Sequence, residues 1–295
     1  MLPSEIQIVN GENISQKANI EFTEQTIDYE TSNNLNYDDI LSITKGLNVI
    51  SEFYDVQAAV SVTPTGICAV SLGKTLEDAV MNIMDSDPID FMLSTVVLSS
   101  EVNSDTVKLL KDTHIIVAPN FTKNSVEYLE THNITYVKIK TPLKDYKQYL
   151  PNKSVVTPLG TLTETPNFNE LDKDSFKAVT KVKPTVEQIE DAVFAWKVAK
   201  HSNSRAIVIA KDLKTTSISQ GLQSASIEYA LDYSCDRSKE AVLASDMEIS
   251  LHDLNVAAQG RISLIIVPQA SKELVNAADK FNMAIITTGF TNILY

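Results

Sequence analysis

The sequence is short of cysteine and histidine, and both shortages exclude classes of site. There are two cysteines and four histidines among 295 residues. Cys68 and Cys235 are too far apart in the chain to suggest a disulfide framework or a zinc site, and no two histidines have the spacing of metal ligands. Cys68 stands in an apolar run and is expected to be a small buried side chain. We therefore expect no metal.

Positive charge is also scarce. Lysine and arginine number 25 against 38 aspartate and glutamate residues, so the formal net charge is −13. A nucleic-acid partner needs basic patches that neutralise phosphates, and an anionic membrane surface attracts clusters of lysine and arginine. The composition argues against both partners. The acidic residues are scattered along the chain, which suggests solubility rather than a site.

Long apolar runs are missing as well. None approaches the ~18 residues of a transmembrane helix, and residues 1–5 lack the basic and apolar regions of a signal peptide. The sequence therefore predicts a cytoplasmic protein without a membrane partner. With 43% hydrophobic residues it can bury a sizeable core, as one large domain or as two halves.

The central stretch of the chain is residues 57–73. Two apolar runs of strand length flank Thr63-Pro64-Thr65-Gly66, where proline and glycine favour a turn. One interpretation is a buried strand pair joined by a structural turn. The other is that the turn forms the floor of a site, because ligands of α/β proteins bind beyond strand ends.

The order of predicted elements occurs twice. Helix, strand, turn, strand and helix follow each other in both halves, and capping-box patterns begin helices at Thr75 and Thr185. Helices are also predicted near residues 222–230 and 237–244. We predict an α/β fold of two related three-layer α/β/α lobes with mostly parallel sheets. The first lobe, with an N-terminal arm, covers residues 1–140. A connector with five of the ten prolines covers 141–184, and the second lobe covers 185–295.

Five segments are informative by their order and spacing. They are residues 9–18 (VNGENISQKA), 53–73 (FYDVQAAVSVTPTGICAVSLG), 118–121 (APNF), 194–201 (FAWKVAKH) and 206–212 (AIVIAKD). Together they resemble one family, the AICAR formyltransferase domain of the bifunctional purine-biosynthesis enzyme. The resemblance implies two cytidine-deaminase-like lobes in an intertwined homodimer, with sites at the subunit interface that transfer formyl from 10-formyltetrahydrofolate to AICAR. The cyclohydrolase half of that enzyme has no counterpart here, so the resemblance suggests a stand-alone unit.

The chain departs from the family where the chemistry is expected. The family's catalytic Lys-His pair corresponds to Thr63 and Pro64, and the Asn of the same motif corresponds to Gly66. Threonine does not titrate near neutral pH, and proline has no side-chain donor or acceptor. The family's Arg-Tyr, expected at the substrate phosphate and ring, corresponds to Val9 and Asn10. We therefore expect no catalytic residues and no cofactor, in a diverged homologue that acts by binding or dimer assembly.

An active enzyme is the alternative. It would use 10-formyltetrahydrofolate with non-equivalent groups, for which Lys200, His201 and His114 are the candidates. Lys200 and His201 also fit favourable cations at a helix C-terminus, and His114 also fits a satisfied core histidine. His132 and His252 are expected at the surface. The candidates for lining a pocket, with a small molecule as its ligand, are Asn10, Gly11, Asn13, Gln16, Thr65, Gly66, Asp212 and Asp246. For the two aspartates, turn geometry is an equal explanation.

Overall fold

The computed structural model describes residues 5–8, 10–13, 15–171, 176–221 and 225–295. In these residues the strands are β1 (Glu5–Ile8), β2 (Ala18–Glu21), β3 (Tyr29–Thr31), β4 (Gln57–Thr63), β5 (Gly66–Gly73), β6 (Thr95–Leu98), β7 (Ile115–Ala118), β8 (Thr135–Ile139), β9 (Lys153–Thr157), β10 (Gly160–Glu164), β11 (Lys177–Ala178), β12 (Ile207–Lys211), β13 (Lys214–Ser219), β14 (Val242–Ser245), β15 (Leu264–Val267) and β16 (Ala284–Thr287). The helices are α1 (Tyr37–Ile50), α2 (Leu76–Ser86), α3 (Pro88–Phe91), α4 (Ser104–Leu109), α5 (Lys123–Thr131), α6 (Val186–His201), α7 (Ser226–Ser234), α8 (Leu251–Gln259) and α9 (Lys272–Lys280).

One twelve-stranded sheet runs through the molecule, so the α/β prediction is confirmed. Its order is β11-β16-β15-β14-β12-β13-β5-β4-β6-β7-β8-β3. The same strand order occurs twice, outward from a junction where β5 and β13 pair antiparallel. Each repeat starts with a hairpin (β4–β5 or β12–β13) and continues outward with four more strands.

The prediction of mostly parallel sheets is wrong. Parallel pairing is confined to β6–β7, β7–β8, β14–β15 and β15–β16, while the other neighbours in the large sheet are antiparallel. The tight turn in each hairpin explains two of the antiparallel pairs, because two strands joined by a two-residue turn must run in opposite directions.

The helix starts predicted at Thr75 and Thr185 are confirmed. Thr75 and Thr185 each form a capping box, in which the threonine hydroxyl accepts from a backbone N–H three residues on while that residue's side chain accepts in return. The amphipathic helix α1 has a third capping box at Asn36. Each cap stabilises its helix by about 1 kcal/mol.

The helix predicted over residues 237–244 is wrong. A 3₁₀ turn (Cys235–Ser238) is followed there by strand β14, which lies between β12 and β15. All four residues of β14 are buried, so both faces of the segment are covered by protein. A short apolar run that is covered on both faces has the same hydrophobic pattern in a strand and in a buried helix. Here the pairing with neighbouring strands makes the segment a strand.

The connector predicted over residues 141–184 contains regular secondary structure. A 3₁₀ helix (Leu143–Tyr149) is followed by the hairpin β9–β10, which is a two-stranded sheet of its own. The hairpin carries exposed apolar side chains, among them Val156, Leu159 and Leu162. Within the described ranges, none of the helices combines the length and the apolar character needed to span a membrane.

Candidate functional site

The turn between β4 and β5 borders a cavity of about 260 Å³. The hydroxyls of Thr63 and Thr65 are 2.8 Å apart, and the Asn203 side-chain amide donates to the Thr65 carbonyl at 3.1 Å. The lining residues are Thr63, Thr65, Gly66, Ile67, Cys68, Asp87, Asp90, Asn203, Ile218, Gln220, Tyr229 and Tyr233. The turn therefore lies at a concave surface, and two of the predicted pocket residues, Thr65 and Gly66, are part of it.

Packing explains why position 66 is a glycine. A Cβ added to Gly66 would lie 2.6 Å from Cδ of Gln220, which follows β13. The Gln220 amide donates to the carbonyl of Ile67 at 2.9 Å and accepts from the backbone N–H of Asn203 at 3.2 Å. Gln220 thus fills the space that a side chain at position 66 would need, and it connects the two hairpins.

The cavity is acidic and aromatic. Asp87 and Asp90 contribute two carboxylates, and the rings of Tyr229 and Tyr233 are stacked with centroids 6.4 Å apart. Burial, then the negative charges of Asp87 and Asp90, raise the pKa of Cys68 to about 12, so that half-buried thiol stays protonated at neutral pH. Burial and a hydrogen bond to Asp87 likewise raise the pKa of Tyr233. Neither group is ionised as a nucleophile or base.

Asp246 lies near the end of the sheet that borders the cavity, but its role is structural. It is fully buried, accepts from the hydroxyl of Ser204 and accepts from the backbone N–H of Ala206 at 2.9 Å. Burial raises its pKa. These bonds fix the chain that leads into β12, so the contacts of Asp246 support the structural explanation. Asp246 is absent from the described lining of the cavity.

Asp212 lies at the other end of the large sheet. The turn that contains it adjoins the end of β5, where the N–H of Leu72 donates to the carbonyl of Leu213. Gly66 is at the opposite end of β5, about 20 Å away at ~3.3 Å per residue. Asp212 and Leu213 have φ of 55° and 57°, and their N–H groups donate to the carboxylate of Asp191 at 3.1 and 2.7 Å. Asp212 therefore belongs to a turn, not to the cavity.

The N-terminal candidates form a loop of their own. Asn10 donates to the carbonyl of Gly11 at 2.7 Å, while Gln16 accepts from both the backbone and the side chain of Asn13. Within the described residues these hydrogen bonds stay inside the loop between β1 and β2. Val9, the other departure from the family pattern in this segment, lies outside the described residues.

His114 forms a pair with a carboxylate. Its Nε2 is 2.8 Å from Asp39 Oδ1, and more than half of its side chain is exposed. The interpretation as a core histidine is therefore wrong: β7 begins one residue later, and the ring turns outward to α1. His132 and His252 are exposed, as expected.

A second polar group gathers around Glu52, which the sequence analysis missed. Its carboxylate is nearly buried and accepts from Lys147 at 3.1 Å, Lys200 at 3.0 Å and His201 at 3.1 Å. Although burial opposes the effect, His201, Lys200 and Lys147 lower the pKa of Glu52. Since an ionised carboxylate only accepts, the proton of this bond is on His201 Nε2. We refer to these four residues as the Glu52 cluster.

Sequence reasoning did find half of this cluster. Lys200 and His201 were expected at a helix C-terminus, and α6 ends there. What it could not find is the partner, because Glu52 is 148 residues from Lys200 along the chain. No local pattern marks a contact over that distance.

Comparisons with known proteins agree with the motifs. The model of the AICARFT/IMPCHase bienzyme family matches residues 3–232. The chain is similar over most of its length to bifunctional purine biosynthesis proteins PurH. The PurH of Caldicellulosiruptor saccharolyticus is 33% identical, and the match covers 93% of this chain and 53% of the relative. The PurH proteins of Acetivibrio thermocellus and Anoxybacillus flavithermus are each 30% identical, and each match covers 86% of this chain and 51% of the relative. This chain spans about half the length of those relatives. By this match, it belongs to the AICARFT/IMPCHase family.

Proposed function

We propose that this chain is a diverged homologue of AICAR formyltransferase that does not transfer formyl groups and acts by binding or by dimer assembly. The observation that carries the proposal is the composition of the cavity at the Thr63–Gly66 turn. Its described lining contains two carboxylates, two phenols and a thiol, but no lysine, arginine or histidine.

The absence of a cation from that lining bears on substrate binding. A nucleotide phosphate is held by arginine, lysine or a helix N-terminus. Asp87 and Asp90 instead give the cavity negative charge, which repels a phosphate. The composition of the cavity therefore favours a neutral or cationic ligand.

The chemistry of the turn points the same way. Thr63 and Pro64 occupy the positions of the family's lysine and histidine, and the Thr63 hydroxyl is paired with that of Thr65. Neither residue can act as a general acid or base near neutral pH, and such a group is typically worth about 10²–10⁴ in rate. Cys68 cannot take over the role, since its raised pKa keeps the thiol protonated.

A formyl-transfer assay tests the proposal. Purified protein at high concentration is incubated with AICAR and 10-formyltetrahydrofolate, with a bifunctional PurH enzyme as positive control. We expect no turnover, and no binding of either compound by isothermal titration calorimetry. Turnover, or micromolar binding of either substrate, would overturn the proposal.

One observation favours the alternative of an active enzyme. The exposed His114 is paired with the buried carboxylate of Asp39, an arrangement that can serve a general base. The pairing of β4 with β6 and of β6 with β7 puts His114 two strands from the end of β4, about 10 Å at ~4.8 Å per strand. If the assay detects turnover, His114→Asn should abolish it, while His252→Asn, at an exposed helix position, should leave it unchanged.

We also propose that the two repeats of the strand order are the two cytidine-deaminase-like lobes, and that the chain forms a homodimer. The exposed apolar side chains of the β9–β10 hairpin support assembly. So does an apolar groove of about 700 Å³, whose walls include Ile20, Ile27, Ile40 and Leu47. Exposed apolar patches of this kind commonly mark interaction surfaces. A cytoplasmic location stays a prediction.

Sedimentation equilibrium tests the homodimer. We expect a dimer for the wild type and a monomer for the double variant Val156→Asp/Leu162→Asp, because two carboxylates would be buried in the interface. Val186→Asp is the matched control: Val186 is equally exposed, but it opens α6, where an acid is favourable. A monomeric wild type, or a double variant that still dimerises, would contradict the assignment of the hairpin.

A further inference from the structure

The Glu52 cluster adjoins a cavity that is separate from the one at the Thr63–Gly66 turn. Its volume is about 240 Å³, which is the space of about eight waters at ~30 Å³ each. The ends of α1 and α6 form one wall, and parts of the connector and the C-terminal segment form the others. The lining residues are Asn48, Ser51, Glu52, Lys147, Leu150, Pro151, Lys153, Glu164, Thr165, Pro166, Asn167, Phe168, Lys200, His201, Ile293 and Leu294.

Cationic side chains are concentrated on the lining of this cavity, in a molecule whose net charge is −13. Lys147, Lys153, Lys200 and His201 line it together with two carboxylates, Glu52 and Glu164. Glu170, which is outside the lining, also pairs with Lys147. Lys200 is 9% exposed and Glu52 is 8% exposed, so water screens their charges poorly.

Among the described residues, two of these lysines have a donor without a hydrogen-bond partner. An ammonium group has three N–H donors. The described hydrogen bonds use two of Lys147, to Glu52 and Glu170, and two of Lys200, to Glu52 and the carbonyl of Asn169. Glu52 already accepts from two lysines and a histidine and has little capacity for more. A ligand that brings its own negative oxygens would satisfy the remaining donors.

From this geometry we infer that the cavity binds a small divalent oxyanion, a phosphate group or a short dicarboxylate, through Lys147, Lys200 and His201. Asn48 and Asn167 offer neutral amides on the same wall. The site goes beyond the proposed function, because it is separate from the turn where formyl transfer is expected. Its test therefore gives the same answer whether or not the chain transfers formyl.

Histidine NMR provides the test. The protein has four histidines, and only His201 lines this cavity; His114, His132 and His252 are internal controls. Inorganic phosphate and succinate are titrated separately, against chloride at matched ionic strength, and His201→Gln assigns the resonance. We expect saturable shifts of the His201 ring signals with the divalent anion, while the other three rings follow the chloride control.

The pKa of His201 gives a second readout. Burial lowers it, and Glu52, Lys147 and Lys200 are the charged groups that face the ring. An anion bound beside the imidazole stabilises its protonated form, so saturation should raise this pKa. Saturation by phosphate alone would identify a phosphate site, and saturation by succinate alone would identify a carboxylate site.

Lysine variants complete the test. Lys147→Gln should weaken anion binding at least tenfold, because it removes one of the facing ammonium groups. Lys211→Gln is the matched control, since Lys211 is similarly exposed and bonds to a glutamate and a backbone carbonyl outside the cavity. If Lys147→Gln does not fold, Lys153→Gln tests the same wall. Absence of a saturable His201 shift, or undiminished affinity in the folded cavity variant, would overturn the inference.

Discussion

Replacing Glu52 by glutamine should destabilise the protein by about 3 kcal/mol. Glu52 follows α1, and its partners Lys200 and His201 end α6, so its bonds hold the ends of the two helices together. Glutamine keeps the shape and one acceptor oxygen but removes the charge. Lys200 would then be a buried cation without its counter-charge, and breaking a buried pair in this way typically costs about 3–5 kcal/mol. The remaining acceptor offsets part of that loss.

The pH dependence of this effect has a definite sign. The pKa of Glu52 is lower in the folded protein than its ordinary value of about 4.3. Its contribution to stability is therefore complete above about pH 5 and is lost as the pH falls through the folded pKa. The difference between wild type and Glu52→Gln should be nearly constant between about pH 7 and 8, above the ordinary pKa values of glutamate and histidine. It should shrink in solution acidic enough to protonate Glu52.

Urea unfolding measures both effects. Trp196 is the single tryptophan and is buried against Phe290, so its fluorescence reports loss of the core. Glu240→Gln is the control, because Glu240 pairs with Lys211 but is largely exposed, and its loss should change stability by less than about 0.5 kcal/mol. If Glu52→Gln is no less stable than this control at pH 7, the reasoning about the buried cluster is refuted.

Three further substitutions should lower the urea midpoint. Gly46→Ala places a methyl against the side chain of Val97, and we expect a loss of about 1–3 kcal/mol despite the better helix propensity of alanine; an unchanged midpoint would contradict the close packing of α1. Asp191→Ala removes the acceptor for two N–H groups of a hairpin turn, for a loss of about 2 kcal/mol, which Asp191→Asn should partly recover. Gly66→Asn must displace Gln220 and should cost about 1–3 kcal/mol, whereas the double variant with Gln220→Ala should recover part of it.

Local sequence signals predicted the parts of the fold that depend on neighbouring residues. The helix that starts after Thr185 could be located because its capping box and its apolar stripe both lie within a few turns. The segment around Val242 could not, because its neighbours in the sheet, Ile207 to Ala210 and Leu264 to Ile266, are distant in sequence. Pairing of that kind decides between strand and helix only after the chain has folded.

The candidate site likewise combines features that are visible in the local sequence with features that depend on tertiary contacts. The turn at Thr65 and the turn at Asp212 join equivalent strands of the two repeats, and each contains a residue that favours turns, Pro64 in the first and Asp212 in the second. Only their tertiary contacts distinguish the two turns. The first turn borders a cavity, and Gln220 leaves no room for a side chain at Gly66; the second is held by the buried carboxylate of Asp191.

Because tertiary contacts distinguish the two turns, a departure from the family pattern cannot be interpreted from its own position alone. A substitution at Gly66 cannot be judged alone, because Gln220 on the other hairpin fills the space a larger side chain would need. The described lining of the cavity at the turn contains no lysine, arginine or histidine. The lysines and the histidine of the Glu52 cluster line another cavity, whose described lining includes neither Thr63 nor Pro64. The ligands proposed for the two cavities differ in charge, neutral or cationic at the turn and anionic at Glu52, so one compound should not saturate both.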